Sequence, residues 1–220
     1  MKKLLILAAL VAVAFTPMVA QAGPLGPDNV VVGDIITVAD YNNSNEGGPF
    51  VVYNQTVGSP DGWFTFCVEL QEHLAFGAKL EVVGISDTAY HGGVGPEGDP
   101  LDAETAYLYT KYRAMGGSTD VDVNNAYQLA IWYIEEAPGG VNNSLAQEAK
   151  AAVLSGAWVG LGNVRVLNLV WGQNFGDRFE TGERAQDVLT MIAIPDGGAT
   201  LTLLGFALLG VGALRRKFNA

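Results

Sequence analysis

Cysteine occurs once in the 220 residues, as Cys67. A single cysteine excludes an intramolecular disulfide and any cysteine-rich zinc site. Histidine is almost as scarce, and His73 and His91 are too few to build a zinc centre by themselves. The sequence thus calls for no metal and no cofactor. Basic side chains are sparse between the ends: residues 23–194 hold 22 acidic and 7 basic groups, a net charge of −15. A surface of that sign repels a phosphate backbone, so nucleic acid is a poor partner. No internal repeat is present, and the longest apolar runs lie at the two ends.

Those ends read as export signals. Lys2 and Lys3 precede an apolar run over 4–15, and Ala20-Gln21-Ala22 supplies a small-x-small cleavage site. Residues 1–22 therefore read as a signal peptide, with the mature chain starting at Gly23. The competing reading is an uncleaved anchor helix, against which Pro17 and the Ala-Gln-Ala site argue. At the other end, Pro195-Asp196-Gly197-Gly198 leads into 199–214, small or apolar apart from two threonines, and Arg215-Arg216-Lys217 stops the run. As a helix that run spans about 24 Å, short for a lone bilayer anchor.

The order Pro-Asp-Gly-Gly, apolar helix, Arg-Arg resembles the PEP-CTERM class of sorting tails, in a Pro-Asp form. Asp196 stands where the commonest form has Glu, and no second Pro follows. The resemblance implies that residues 195–220 hold the chain in the membrane transiently, through the hydrophobic helix. An exosortase-type enzyme then recognises Pro195, Asp196 and Gly197 and removes the tail. Arg215 and Arg216 remain on the cytoplasmic side. It also implies a Gram-negative cell surface or polysaccharide matrix as the destination.

Between the ends, β-branched segments at 30–38, 50–57, 63–70, 80–86, 164–171 and 187–194 predict strands. Ser59-Pro60-Asp61-Gly62 is a turn, because Pro presets φ and Gly accepts positive φ, and it makes the second and third strands a hairpin. Residues 41–49, 90–100 and 172–184 read as loops. Helices are predicted over 102–115, with Asp102 near the start; over 124–136, with Asp120 and Asp122 suiting its N-terminus; and over 144–155, with Ser144 as N-cap and Gln147 at the capping-box position. Strands, then helices, then strands predict an α+β fold for 23–194, an antiparallel β-sandwich or open barrel with a three-helix insertion.

Two stretches carry the chemistry. Along 63–70 alternation puts Phe64, Phe66, Val68 and Leu70 on one face and Trp63, Thr65, Cys67 and Glu69 on the other. In the helix 124–136, Val123, Ala126, Tyr127, Ala130, Ile131 and Ile134 form an apolar stripe, with Gln128 one turn before Trp132. A lone Gln in such a place is ordinarily a solvated amide, and a lone Cys is ordinarily buried filler. Phe66-Cys67-Val68 followed downstream by Tyr127-Gln128-Leu129-Ala130-Ile131-Trp132 resembles the thioester domain of bacterial surface adhesins. The resemblance implies an internal thioester between Cys67 and Gln128. The bond would be shielded by Trp63, Phe66, Tyr127 and Trp132, with Phe64 and Tyr133 also at hand. It would capture an amine or hydroxyl on a partner protein or matrix polymer in a single-use reaction rather than by enzymatic turnover. A lowered Cys67 pKa would favour the bond, since the thiolate is the nucleophile.

Three other readings compete. Cys67 could be a plain thiol in a non-covalent, exopolysaccharide-associated matrix protein. It could pair with His73 or His91 in a hydrolase, although no third orienting group is evident. Asp120-x-Asp122-x-Asn124 begins like a calcium loop but has Asn125 where Gly is required and Ile131 where Glu is required, so helix capping is the better account. The carboxylate pairs Glu135-Glu136 and Glu69 with Glu72 are expected to be solvated.

Overall fold

The computed structural model describes residues 27–41, 48–90 and 98–193. The signal peptide, the sorting tail and His91 lie outside the described residues.

Eight strands and three helices occur among the described residues, in the order strands, helices, strands. The strands are β1 (Ile35–Asp40), β2 (Phe50–Asn54), β3 (Trp63–Thr65), β4 (Lys79–Ser86), β5 (Thr88–Ala89), β6 (Asp99–Pro100), β7 (Val164–Trp171) and β8 (Arg184–Met191). Six form one antiparallel sheet in the order β3-β2-β1-β4-β7-β8, and β5 pairs with β6 apart from it. The loop expected over 90–100 thus ends in a short strand, and the last strand starts earlier than its β-branched residues suggest. The helices α1 (Ala103–Ala114), α2 (Val121–Ile134) and α3 (Ser144–Leu154) are inserted between β6 and β7. No helix among the described residues is long and apolar enough to cross a membrane.

The second and third strands pair as predicted, with Phe50 facing Thr65 and Val52 facing Trp63, but the turn between them falls at 55–58, where Gly58 and not Gly62 takes the positive φ. The strand expected over 63–70, however, is regular only through Thr65. The ladder with β2 stops at the Phe50–Thr65 pair; the next residue of that side whose backbone would bond toward this strand is Gly48. The chain turns instead toward β8. Leu189 N–H donates to the Phe66 carbonyl at 3.2 Å, Val68 N–H donates to the Asp187 carbonyl at 3.4 Å, and Cys67 faces Val188 in an isolated bridge. The two ends of the sheet order therefore meet at Cys67.

Two buried clusters flank this sheet. Trp63, Cys67, Val188, Leu169, Trp171 and Trp132 belong to one, with the buried residues of β1, β2 and β4. Phe66, Val68, Leu189 and Met191 belong to the other, with Tyr109 and Tyr112 of α1, Tyr127, Ala130 and Ile131 of α2, and Ala146 and Ala149 of α3. The alternation read from 63–68 therefore survives, but both of its faces are core.

Helix ends follow local chemistry. The Asp120 carboxylate accepts from the N–H groups of Asp122 and Val123, which starts α2 at Val121, two residues before its apolar stripe begins. α3 is capped by Asn143, whose side chain accepts from Leu145 and Ala146, so Ser144 is the first helical residue and not the cap. At α1 the Asp102 side chain makes no capping bond. The Glu135 carboxylate at the end of α2 accepts from the Asp102 N–H at 3.3 Å instead. Glu135 is therefore buried, contrary to the expectation of a solvated face, and burial above all pushes its carboxyl up to about 8.

Candidate functional site

Gln128 is fully buried, not the solvated amide its position in an isolated helix suggests. Its carboxamide lies on the backbone of Cys67. Cys67 N–H donates to Gln128 Oε1 at 3.0 Å, and Gln128 Nε2 donates to the Cys67 carbonyl at 2.8 Å. The fold makes this geometry necessary. Phe66 and Val68 direct their backbone bonds to β8, so the N–H and C=O of Cys67 face the other way, where the ladder with β2 has already stopped at Phe50. Two buried backbone groups there require partners, and the Gln128 amide supplies one donor and one acceptor. Residues 61 positions apart in sequence are thereby joined at two points.

Gly48 closes the arrangement from the side of β2. A Cβ on Gly48 would lie 2.6 Å from Gln128 Oε1 and 3.1 Å from Phe66 Cδ1. The residues alone mark 41–49 only as an undifferentiated loop; the Gly-Gly-Pro run just before a strand is the one signal the sequence offers.

The four predicted shielding residues surround the pair on two sides. Trp63 and Trp132 are buried in the cluster that contains Cys67. Phe66 and Tyr127 are buried in the opposite one, with Phe66 packed edge-on against Tyr112 at 4.8 Å and stacked on Tyr127 at 6.2 Å. Phe64 is half-buried on the Phe66 side. Tyr133, also expected as cover, is 45% exposed, because it projects from the side of α2 opposite the core.

The sulfur itself is enclosed, with Cys67 only 1% exposed. Its thiol is pushed well above the ordinary range, first by burial and then by the charge of Glu69, against which a hydrogen bond from the Gln186 side chain works. The lowered pKa that would favour attack by the thiolate is therefore not provided here, because loss of water around the sulfur is the largest influence on it. Gln186 also donates to the Glu69 carbonyl. His73 is exposed, its ring against Phe179 at 5.6 Å.

Glu69 is buried, a second correction to the expected solvated carboxylates, and its backbone is held against β8 by the bond from Gln186. Oxygens of Glu69, Glu72 and Asp187 lie within 4.8 Å of one another. Asp187 already accepts from Tyr90 N–H, Leu169 N–H and Asn168 Nδ2. Its carboxyl is raised to about 7, by burial first and by the charge of Glu72 last. With Asp187 committed to protein donors, the trio reads as internal polar structure.

The C-terminal tail defines the class, a secreted protein sorted to the surface. Residues 193–218 match the VPDSG-CTERM motif, with Ile194-Pro195-Asp196-Gly197-Gly198 at the corresponding core. A tail of this kind implies a processing enzyme of the exosortase type. No curated protein and no solved structure matches the chain, so the likeness to thioester adhesins has no support from relatives.

Proposed function

We propose that residues 23–194 form a surface adhesion domain that stores an internal thioester between Cys67 and Gln128. The observation that carries this reading is the double hydrogen bond between the Gln128 carboxamide and the Cys67 backbone, in a site closed to water. The meeting of 66–68 with β8 supports an open-barrel description of the sheet, with Cys67 at its seam.

The chemistry balances without a co-reactant. Cys67 Sγ attacks Gln128 Cδ, and negative charge gathers on Oε1, where the Cys67 N–H already donates. The C–N bond breaks, and the nitrogen takes the thiol proton and leaves as ammonia. Holding the groups together supplies the drive, because an intramolecular attack of this kind carries a large effective molarity. The buried, proton-retaining thiol works against this first step, since the thiolate is the nucleophile, while the same burial makes it a poor leaving group once the bond has formed. When the site is opened to a partner, an amine or hydroxyl attacks the same carbonyl, forms an amide or ester, and returns the proton to the Cys67 sulfur. The partner is a surface protein or matrix polymer outside a Gram-negative cell, reached after the transient C-terminal membrane anchor has been processed.

A second reading is favoured by the same hydrogen bonds. A carboxamide pinned to a strand edge is a complete structural device, and Cys67 would then be a buried thiol in a non-covalent, exopolysaccharide-associated matrix protein. Incubation of the purified protein with methylamine separates the two. The thioester reading predicts one added methylamine at position 128 together with a newly alkylatable Cys67; the structural reading predicts no adduct.

A further inference from the structure

We infer that Gly48 is a positioning residue for the Cys67–Gln128 pair, holding the carboxamide oxygen of Gln128 in register with the Cys67 N–H. The inference rests on the thioester reading and adds a residue that neither the cysteine nor the glutamine stretch contains. Gly48 precedes β2 and is buried. Its bare Cα leaves the space that Oε1 occupies: an added Cβ would sit 2.6 Å from that oxygen, closer than real Cβ contacts come. Behind it stand Phe66 Cδ1 at 3.1 Å and the Phe66 backbone at 3.5 Å, so the methyl has no room to move away from the amide. The Phe66 backbone is fixed by its bond from Leu189 and cannot yield. The movable group is the Gln128 carboxamide, and displacing it breaks the 3.0 Å bond to the Cys67 N–H. That N–H is the donor that would stabilise the oxyanion during both formation and opening of the thioester, so a shift of about 1 Å is expected to slow either step by roughly a hundredfold.

The test uses the full exported chain carrying Gly48→Ala, beside wild type, Gln128→Ala and the double variant. Folding is checked by near-UV circular dichroism and the thioester by intact mass. The inference predicts a wild type lighter than its sequence by one ammonia, and a folded Gly48→Ala protein of full mass with an alkylatable Cys67. If Gly48→Ala is folded and as light as wild type, the positioning role is wrong while the thioester reading stands. If wild type itself has full mass and an intact Gln at 128, the thioester reading fails and takes this role with it. Should Gly48→Ala not fold, the double variant decides. Any side chain at position 48 is strained by the φ of +158° there, and the double variant carries that strain too, but it lacks the clash with the carboxamide and should therefore be more stable relative to Gln128→Ala than Gly48→Ala is relative to wild type. A double variant that gains nothing over Gly48→Ala would show that the backbone conformation, and not the contact with Gln128, is what requires glycine there.

Discussion

Removing the Gln128 side chain isolates the energetic role of the amide if it is done where no thioester can form. Cys67→Ala keeps the backbone N–H and C=O of position 67 and removes only the sulfur, so the two bonds from Gln128 remain. In that background Gln128→Ala strips partners from two buried backbone groups. Each orphaned group costs about 1–3 kcal/mol, so the pair costs about 2–6 kcal/mol before the cavity left behind adds its own cost. For a domain of this size that is a fall in Tm of roughly 5–20 °C. Gln128→Glu in the same background refines the test. The introduced carboxylate retains an acceptor for the Cys67 N–H but sets a second oxygen against the Cys67 carbonyl, where Nε2 now donates at 2.8 Å. Only the protonated acid restores that donor. Its folded pKa is therefore raised above the unfolded value of about 4.3, so its stability is complete below about pH 4 and lost as pH rises through the folded pKa. Urea unfolding at several pH values measures both effects. A Gln128→Ala cost below about 0.5 kcal/mol, or a Gln128→Glu protein insensitive to pH, would refute the claim that this amide satisfies the Cys67 backbone.

Other perturbations test neighbouring parts of the structure. Asp28→Ala should cost about 3–5 kcal/mol in chemical unfolding, because it leaves the buried Arg113 guanidinium without its ion pair and strips bonds from Thr190 and Met191. Stability should fall as pH rises from about 4 to 8. Asp102 is raised to about 6, Asp187 to about 7 and Glu135 to about 8, so each favours the folded state fully below its unfolded pKa and loses that contribution as pH rises through the folded one. Glu135→Gln, which retains an acceptor for the Asp102 N–H, should flatten the upper part of that decline in thermal melts. Trp132→Ala should cost about 3–5 kcal/mol by opening the Cys67 cluster, and Cys67 of the variant should become alkylatable faster than in wild type once methylamine is added.

Much of this architecture is legible in the sequence because it is local. The α2 stripe, the Asp120 cap and the pairing of the second and third strands are set by residues within a few positions of one another, and each appears in the structure, although the turn falls at 55–58 and not at Ser59-Pro60-Asp61-Gly62. The shift of strand 63–70 from β2 to β8 is not legible, because it depends on residues 187–189 arriving from the far end of the chain. The same distance hides Glu69 and Glu135, whose exposure is decided by segments dozens of positions away. At the site, the resemblance points to the pairing of Cys67 with Gln128, whereas nothing in the residues points to the contacts of Gly48 and Gln186. Gly48 acts through an absent side chain, and Gln186 sits in an otherwise ordinary strand, so neither leaves a pattern in composition or periodicity.

The most direct measurement is the intact mass of the mature exported protein, beside Cys67→Ala and Gln128→Ala versions, with peptide sequencing across position 128. The thioester reading predicts a wild-type mass short by one ammonia, no such loss in either variant, and no alkylation of Cys67 before an amine is added. A wild-type protein of full mass, with Gln retained at 128 and Cys67 alkylated on unfolding, would contradict it.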